Sequence, residues 1–427
     1  MSTISERDSN VTWHPYTPMK IWPEAIGIVR GEGSYLIAED GTRYLDAISS
    51  WWVTIHGHSH PYIAQKVYEQ MTTLEHCMFA GFTHLPAVVL AERLLQILPG
   101  NMSRIFYSDN GSTAVEVALK MAIQYWSNKG IKKQKIVAIE NAYHGDTFGA
   151  MAVSARSIFT ASFTDYLFDV AFIPFPSAGN EAASIAAFTA LLEQGDVAAF
   201  IAEPLVQGSA GMQMYLPETL ELLFATAKQF DTLIIADEVM TGFGRTGTLF
   251  ACEQISTPPD IICLSKGITG GAMPMGVTTA TAEIFDAFYH DDRSKMLYHG
   301  HSYTANATIC AAALASMDLL LQDTCTTSRQ HIADAHATFS TLIAHHPAVA
   351  DIRQTGTILA IELRTASANY HSNLRDRIYR FFLARHIILR PLGHIIYILP
   401  PYCITSEELR YVYDCITAFL EELKEEQ

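Results

Sequence analysis

The chain has 427 residues, 49% of them hydrophobic and only 17% charged, which is enough apolar material for a large buried core and too little charge for a disordered polypeptide. Its 28 basic residues against 44 acidic ones leave a formal net charge of −16, a balance that repels nucleic-acid backbones and anionic membranes. The N-terminal stretch MSTISERDSN lacks the basic patch and apolar run of a secretion signal, no apolar run is long enough for a membrane span, and the seven cysteines show no CxxC spacing. A cytoplasmic protein whose cysteines are small core residues is expected.

Residues 1–50 are rich in Pro and Gly and hold only short extended pieces, such as Ser34–Ala38 beside the turn Glu39-Asp40-Gly41; they cannot form a core alone and are assigned as an N-terminal arm. From about Ser103 to Ala280, short apolar runs alternate with helix-period stretches, the pattern of an α/β domain around a largely parallel sheet. Strands are expected at Arg104–Ser108, Ile136–Glu140, Val197–Glu203, Leu233–Asp237 and Ile261–Ser265. Thr113–Trp126 reads as a helix, with Ala114, Ala118, Met121, Ala122 and Tyr125 forming an apolar stripe and Thr113 and Glu116 spaced as a capping box. Beyond Ala311, helices at Ala311–Leu321 and around His331–Leu342, strands at Ile358–Leu363 and Ile395–Leu399, and a terminal helix from Glu407 predict a smaller α+β domain. The chain therefore divides into the arm, a large domain over 51–310 and a small domain over 311–427, with the arm completing the small domain.

Four strands end in, or run into, polar residues: Glu140 with Asn141, Glu203, Asp237 with Glu238, and Ser265 with Lys266. Carboxyl ends of parallel strands border the ligand crevice, so these groups are expected to converge. Lys266 would be a desolvated amine with nucleophilic character, or an ion-pair partner for Asp237. Asp237 would be a buried carboxylate in need of a cation, which a protonated pyridine nitrogen supplies. Gly111 and Ser112, between a strand and the helix, could cradle an anion, and Tyr143 could cover a flat ring. Lysine, acid and cradle are the three parts a pyridoxal-phosphate enzyme needs. Of Trp51 and Trp52, one is expected in the core. Gly242–Gly247 has GxGxxG spacing, but no helix opening follows it, which argues against a dinucleotide-binding oxidoreductase. His56, His58 and His60 alternate, but no local Cys or carboxylate completes a ligand set, so no metal is expected.

The runs Ile234-Ile235-Ala236-Asp237-Glu238-Val239, Thr241–Gly247 and Leu264-Ser265-Lys266-Gly267 resemble the signature of the class III aminotransferases. The resemblance spans nearly the whole chain and implies a fold-type I, α/β pyridoxal-phosphate transferase that works as a homodimer with shared active sites. More specific blocks are Trp13–Thr17, Ser49–Trp52, Tyr143–Met151, Val206-Gln207-Gly208, and Arg390-Pro391 with Tyr397 and Pro400-Pro401-Tyr402. They resemble the branch of biotin biosynthesis that transfers an amino group from S-adenosylmethionine, or in some relatives from lysine, to 8-amino-7-oxononanoate. Other members of the family act on ornithine or 4-aminobutyrate. The resemblance makes Lys266 the lysine that binds the cofactor aldehyde and shuttles the proton, and Asp237 the partner of the ring nitrogen. Gly111 and Ser112 would bind the phosphate together with His301 and Ser302 of a partner subunit. It sets Tyr143 on the ring, Tyr16, Trp51, Gly300 and Tyr397 at the substrates, with Tyr16 also against the donor adenine, and Arg390 on the acceptor carboxylate.

Overall fold

In the computed structural model, which describes residues 2–21, 25–365 and 373–425, the central sheet has seven strands. In chain order they are β1 (Met102–Ser108), β2 (Lys135–Ile139), β3 (Ala171–Ile173), β4 (Val197–Ala202), β5 (Leu233–Asp237), β6 (Ile261–Leu264) and β7 (Gly276–Thr281). Their spatial order is β1-β7-β6-β5-β4-β2-β3. The run from β6 to β3 is parallel, whereas β7 is antiparallel to both of its neighbours. β4, β5 and β6 are buried at every position, because helices cover both faces of a parallel sheet and leave no polar side. β7, Gly-Val-Thr-Thr-Ala-Thr, is equally buried but was not expected as a strand. Its Thr278 Oγ1 donates to the Ala114 carbonyl at 2.7 Å, whereas the Thr279 hydroxyl is buried without a partner.

The helix α1 (Gly111–Asn128) follows β1 and starts two residues before the expected boundary. Its cap is Asn110, whose side chain accepts from Thr113 N at 3.0 Å while Thr113 Oγ1 accepts from Asn110 N at 3.1 Å. Glu116 is therefore not the capping residue. Its carboxylate instead accepts from Gly149 N at 2.7 Å and Ala150 N at 3.0 Å, which ties the segment after β2 to the first turns of α1. The expected apolar stripe of α1 is buried.

The arm forms strands Ile28–Glu32, Tyr35–Ala38 and Arg43–Asp46, and Ile387–Ile388 from the far end of the chain adds to the last of them. A three-stranded sheet, Val349–Thr355, Ile358–Leu363 and Ile395–Ile398, and helices Ala307–Leu320, Asp323–Ile343, Asn373–Leu383 and Ser406–Glu425 make up the remaining C-terminal part. Helices begin earlier than expected here because caps such as Asn306, which accepts from Ile309 N at 3.0 Å, lie outside the apolar stripe. The seven cysteines are unpaired; Cys252, Cys263, Cys310 and Cys415 are buried as expected, but Cys77 and Cys325 are half-buried and Cys403 is exposed. Among the described residues no helix is long and apolar enough to cross a membrane.

Gly276 opens β7 beneath the turn that leads into α1. A Cβ there would lie 2.2 Å from the Asn110 carbonyl oxygen and 2.3 Å from Ser108 Oγ. Gly276→Ala is expected to cost about 1–3 kcal/mol of stability through this overpacking, read as a lower thermal midpoint; an unchanged midpoint would mean that the turn can yield.

Candidate active site

A cavity of about 660 Å³ opens at the carboxyl ends of the strands, and Gly111, Ser112, Tyr143, Glu203, Asp237 and Lys266 all line it. Three of the four polar strand ends therefore meet. Glu140 does not join them; its backbone carbonyl accepts from Gln207 Nε2 at 3.0 Å and its N–H donates to the Ile173 carbonyl at 2.9 Å. Glu238, adjacent to Asp237, turns into the core, where its carboxylate accepts from Thr241 Oγ1 and from the N–H groups of Ala251 and Cys252.

Lys266 follows β6 with φ +40° and opens a short 3-10 turn. Its amine is 5.1 Å from the centre of the Trp52 ring. Burial lowers its pKa below that of an ordinary lysine, against the opposing pull of Asp237 and then Glu203. No ion pair joins Lys266 to Asp237 among the described residues. Asp237 Oδ2 is 2.7 Å from His144 Nδ1 and Oδ1 accepts from Val239 N at 3.1 Å. His144, which the sequence reading did not single out beyond its neighbour Tyr143, thus orients the buried acid, and its Nε2 is buried with no partner.

The turn into α1 is kept bare. A Cβ on Gly111 would be 2.7 Å from Val239 Cγ1, and one on Gly145, where φ is +133°, would be 2.3 Å from Ser112 Oγ. The Ser112 hydroxyl accepts from Thr147 N at 3.0 Å, and the first N–H groups of α1 have no acceptor within the helix. A desolvated amine, a buried acid held from behind by a histidine, and a glycine-lined helix N-terminus fit pyridoxal phosphate. Lys266 would take its aldehyde, Asp237 its ring nitrogen, and Gly111 and Ser112 its phosphate.

A second pocket of about 290 Å³ adjoins the first and is lined by Tyr16, Trp51, Tyr143, Phe159, Lys266 and Arg390 among others. The Tyr16 hydroxyl donates to Asp146 at 2.5 Å, and its ring meets Trp51 edge-on at 5.7 Å. The Arg390 guanidinium lies 4.6 Å from the Trp51 ring centre and donates to the Tyr16 carbonyl at 3.4 Å. Trp52 is the core member of the tryptophan pair, 5% exposed against 38% for Trp51. Tyr397, expected at the substrates, lines neither cavity. It is buried behind Trp52, whose Nε1 donates to its hydroxyl at 3.1 Å.

Gly300, His301 and Ser302 lie outside both cavities of their own chain. The Ser302 carbonyl is 2.7 Å from His76 Nε2, His301 Nδ1 accepts from Tyr303 N, and the space around Gly300 is open. The alternating histidines have separate partners: His56 Nε2 is 2.9 Å from the Ser316 carbonyl, its ring edge-on to that of His60 at 6.4 Å, and His58 Nε2 is 2.9 Å from Asp46. Within Gly242–Gly247, Arg245 is buried and donates to the carbonyls of Pro400 and Trp52, so this loop fastens core to core.

Glu203 has a role that its position at a strand end does not announce. Its Oε1 accepts from Tyr143 N and its Oε2 from Gly208 N, both at 3.0 Å, so one carboxylate joins the loop after β2 to the turn after β4. Burial, helped by Asp237 and opposed by His144 and the two N–H groups, pushes its pKa up to about 7. Protonation below that pH removes an acceptor from one of the two N–H groups. The pH profile of kcat/KM is therefore expected to carry an acid limb near 7. Glu203→Gln, with an NH₂ on one side at every pH, should lose that limb and run roughly tenfold to a hundredfold slower. An acid limb that survives in the variant would belong to another group.

The family model described as aminotransferase class-III matches residues 19–420. A relative from Synechococcus elongatus, named adenosylmethionine-8-amino-7-oxononanoate aminotransferase, is 48% identical, covering 96% of this chain and 98% of its own. The solved structure of the Methanocaldococcus jannaschii protein of the same name superposes with a TM-score of 0.93 at 34% identity, over 98% of both chains. That of an omega transaminase from Pseudomonas jessenii in complex with PMP gives 0.92 at 25% identity, over 99% of this chain and 98% of the other. With a family model reaching almost from end to end and relatives of this identity along their full length, the chain belongs to the class III aminotransferases, fold-type I enzymes that depend on pyridoxal phosphate.

Proposed function

We propose that this aminotransferase converts 8-amino-7-oxononanoate to 7,8-diaminononanoate in biotin biosynthesis, with S-adenosylmethionine as amino donor. The observation that carries this reading is that Lys266 lines both the cofactor cavity and the aromatic pocket, while Arg390 lines only the pocket. A substrate whose reacting carbon meets the amine thus has its carboxylate beside a guanidinium. A planar donor fork suits a carboxylate better than an ammonium does.

When bound, pyridoxal phosphate supplies an aldehyde for amines and a ring that takes up the electrons left as a proton departs. Lys266 Nζ removes the proton from the reacting carbon of the donor and, in the second half-reaction, delivers one to the acceptor carbon. Its low affinity for protons inside the protein suits it to that exchange. Asp237, oriented by His144, holds the ring nitrogen in its protonated form. Tyr143 covers the ring, and Tyr16, tied to Asp146, forms the opposite wall with Trp51 and limits water. Gly111 and Ser112 take the phosphate.

The dimer belongs to the same proposal. His301 and Ser302 line neither of the two cavities described above, and a partner subunit's phosphate would engage both, with Gly300 at its substrate. Exposed Tyr62, Tyr68, Met71, Met78, Phe82 and Leu85 are apolar surface in keeping with such a contact. Residues 51–310 are read as the large domain and the two chain ends as the small one. Unpaired cysteines and the acidic charge accord with the cytoplasm.

Lys266→Ala is expected to fold but to lose at least about a thousandfold in turnover; near-normal turnover would remove Lys266 from its role. For Arg390→Ala the acceptor KM should rise about tenfold or more with the cofactor retained, and an unchanged KM would contradict the carboxylate contact. Mixing the holoenzyme with S-adenosylmethionine and, separately, with lysine tests the donor: the cofactor absorbance should convert to the amine form with the first and not with the second.

A further inference from the structure

We propose that Lys120 and Gln124, on the flank of α1, are positioning residues for the cofactor site of the partner subunit. They fix the course of the segment 295–302, which carries His301 and Ser302 to that site. The inference rests on the dimer of the proposed function, in which those two residues engage the phosphate held by the other subunit.

One face of α1 is apolar: Ala114, Ala118, Met121, Ala122 and Tyr125 are buried and lock the helix into the core. Lys120, Gln124 and Asn128 follow one another at four-residue spacing and so share a second face. That face is bonded to a single stretch of chain. Asn128 Nδ2 donates to the Ala287 carbonyl at 3.1 Å and to the Lys295 carbonyl at 2.9 Å. Gln124 Nε2 donates to the Met296 carbonyl at 2.9 Å and shares the Lys295 carbonyl at 3.3 Å. The Lys120 ammonium donates to the Tyr298 carbonyl and lies 3.3 Å from His299 Nδ1. As α1 is followed back from residue 128 to 120, the segment therefore runs forward from 295 to 299, toward Ser302. All the acceptors but His299 are backbone carbonyls, so these contacts set where the segment runs.

The far end of the segment is pinned as well. His76 Nε2 is 2.7 Å from the Ser302 carbonyl, and the Glu75 carbonyl accepts from Asn306 Nδ2 and Thr308 Oγ1, both at 3.1 Å. Between these anchors Gly300 and Ser302 are exposed, and among the described residues the Ser302 N–H has no acceptor. A free N–H beside a hydroxyl is suited to a phosphate oxygen. A loop held at both ends meets its ligand without first having to be ordered, which is why its anchors bear on binding. At 1.5 Å per residue, Lys120 lies about 12 Å along the axis from Ser112. One rigid helix thus serves a phosphate of its own subunit at its tip and a phosphate of the partner subunit through its flank.

A purely structural role would weaken both sites of a dimer alike, whereas positioning weakens only the site across the interface. Mixed dimers separate the two. Two differently tagged chains are combined, one of them carrying Lys266→Ala. The holoenzyme is equilibrated with a series of pyridoxal phosphate concentrations and reduced with borohydride, so that only the other chain retains a pyridoxyl group. With Gln124→Leu in the Lys266→Ala chain, the concentration that half-fills the labelled site should rise about tenfold. With Gln124→Leu in the labelled chain instead, it should stay within about twofold of the dimer that lacks this substitution. Lys120→Met should give the same pattern and serves in its place if Gln124→Leu misfolds. Equal loss in both pairings, loss confined to the second, or no loss in either would overturn the positioning role. Ser302→Asp, which sets a negative charge against the phosphate, tests the dimer separately and should weaken the labelled site when placed in the Lys266→Ala chain. A response to Ser302→Asp without one to Gln124→Leu or Lys120→Met refutes the positioning alone. No response to Ser302→Asp, or a chain that sediments as a monomer, refutes the dimer and this inference with it.

Discussion

A lysine amine taken out of water at the end of β6 is the constraint around which the site is arranged. A buried ammonium is costly, and a buried ion pair would offset that cost while locking the amine away. The molecule sets two carboxylates, Asp237 and Glu203, within electrostatic reach of Lys266 and commits their oxygens elsewhere: Asp237 to His144 and Val239 N, Glu203 to Tyr143 N and Gly208 N. The amine is thus drawn toward neutrality by burial and remains available, while the acids keep fixed orientations for other tasks. The same carboxylates hold the loop that carries Tyr143, so Tyr143 and Lys266 depend on one set of contacts.

The aromatic wall beside that amine is strained. Ser49, Ser50, Trp51 and Trp52 have successive φ values of +51°, +56°, +117° and +74°, each of a kind that costs about 1–3 kcal/mol outside glycine. Such a run persists only if its surroundings impose it. Ser49 Oγ donates to the Leu399 carbonyl at 2.7 Å, Ser50 Oγ to Asp46 at 3.0 Å, and Trp52 is held at its carbonyl by Arg245 and at its indole by Tyr397. The C-terminal part of the chain therefore shapes a pocket that, among the described residues, it enters directly through Arg390 and Leu392. Arg390 itself lies over Trp51, which links the orientation of its guanidinium to the same strained turn.

What the sequence discloses follows from how local each determinant is. β4, β5 and β6 are readable because helices on both faces demand unbroken apolar runs; β7 is not, because its threonines interrupt the apolar run although every one of them is buried. Lys266, Asp237, Gly111, Ser112 and Tyr143 sit at strand ends and turns, where a functional group stands out against its neighbours, and all five line one cavity. Glu238 looks as promising as Asp237, yet it turns to the opposite side and into the core. Glu203 as a bridge, His144 as the support of Asp237, and Tyr397 as a backing for Trp52 all depend on segments far apart in the chain. The capping role given to Glu116 fails for a similar reason, since its true partners are in the segment after β2.

The most direct measurement is to load the protein with pyridoxal phosphate, reduce it with borohydride, and map the peptide that retains the pyridoxyl group. A chemically accessible but desolvated amine at a single strand end requires the label to fall on residue 266 alone, at one group per chain. A label on another lysine, or spread over several, would contradict the arrangement on which the rest of the site is built.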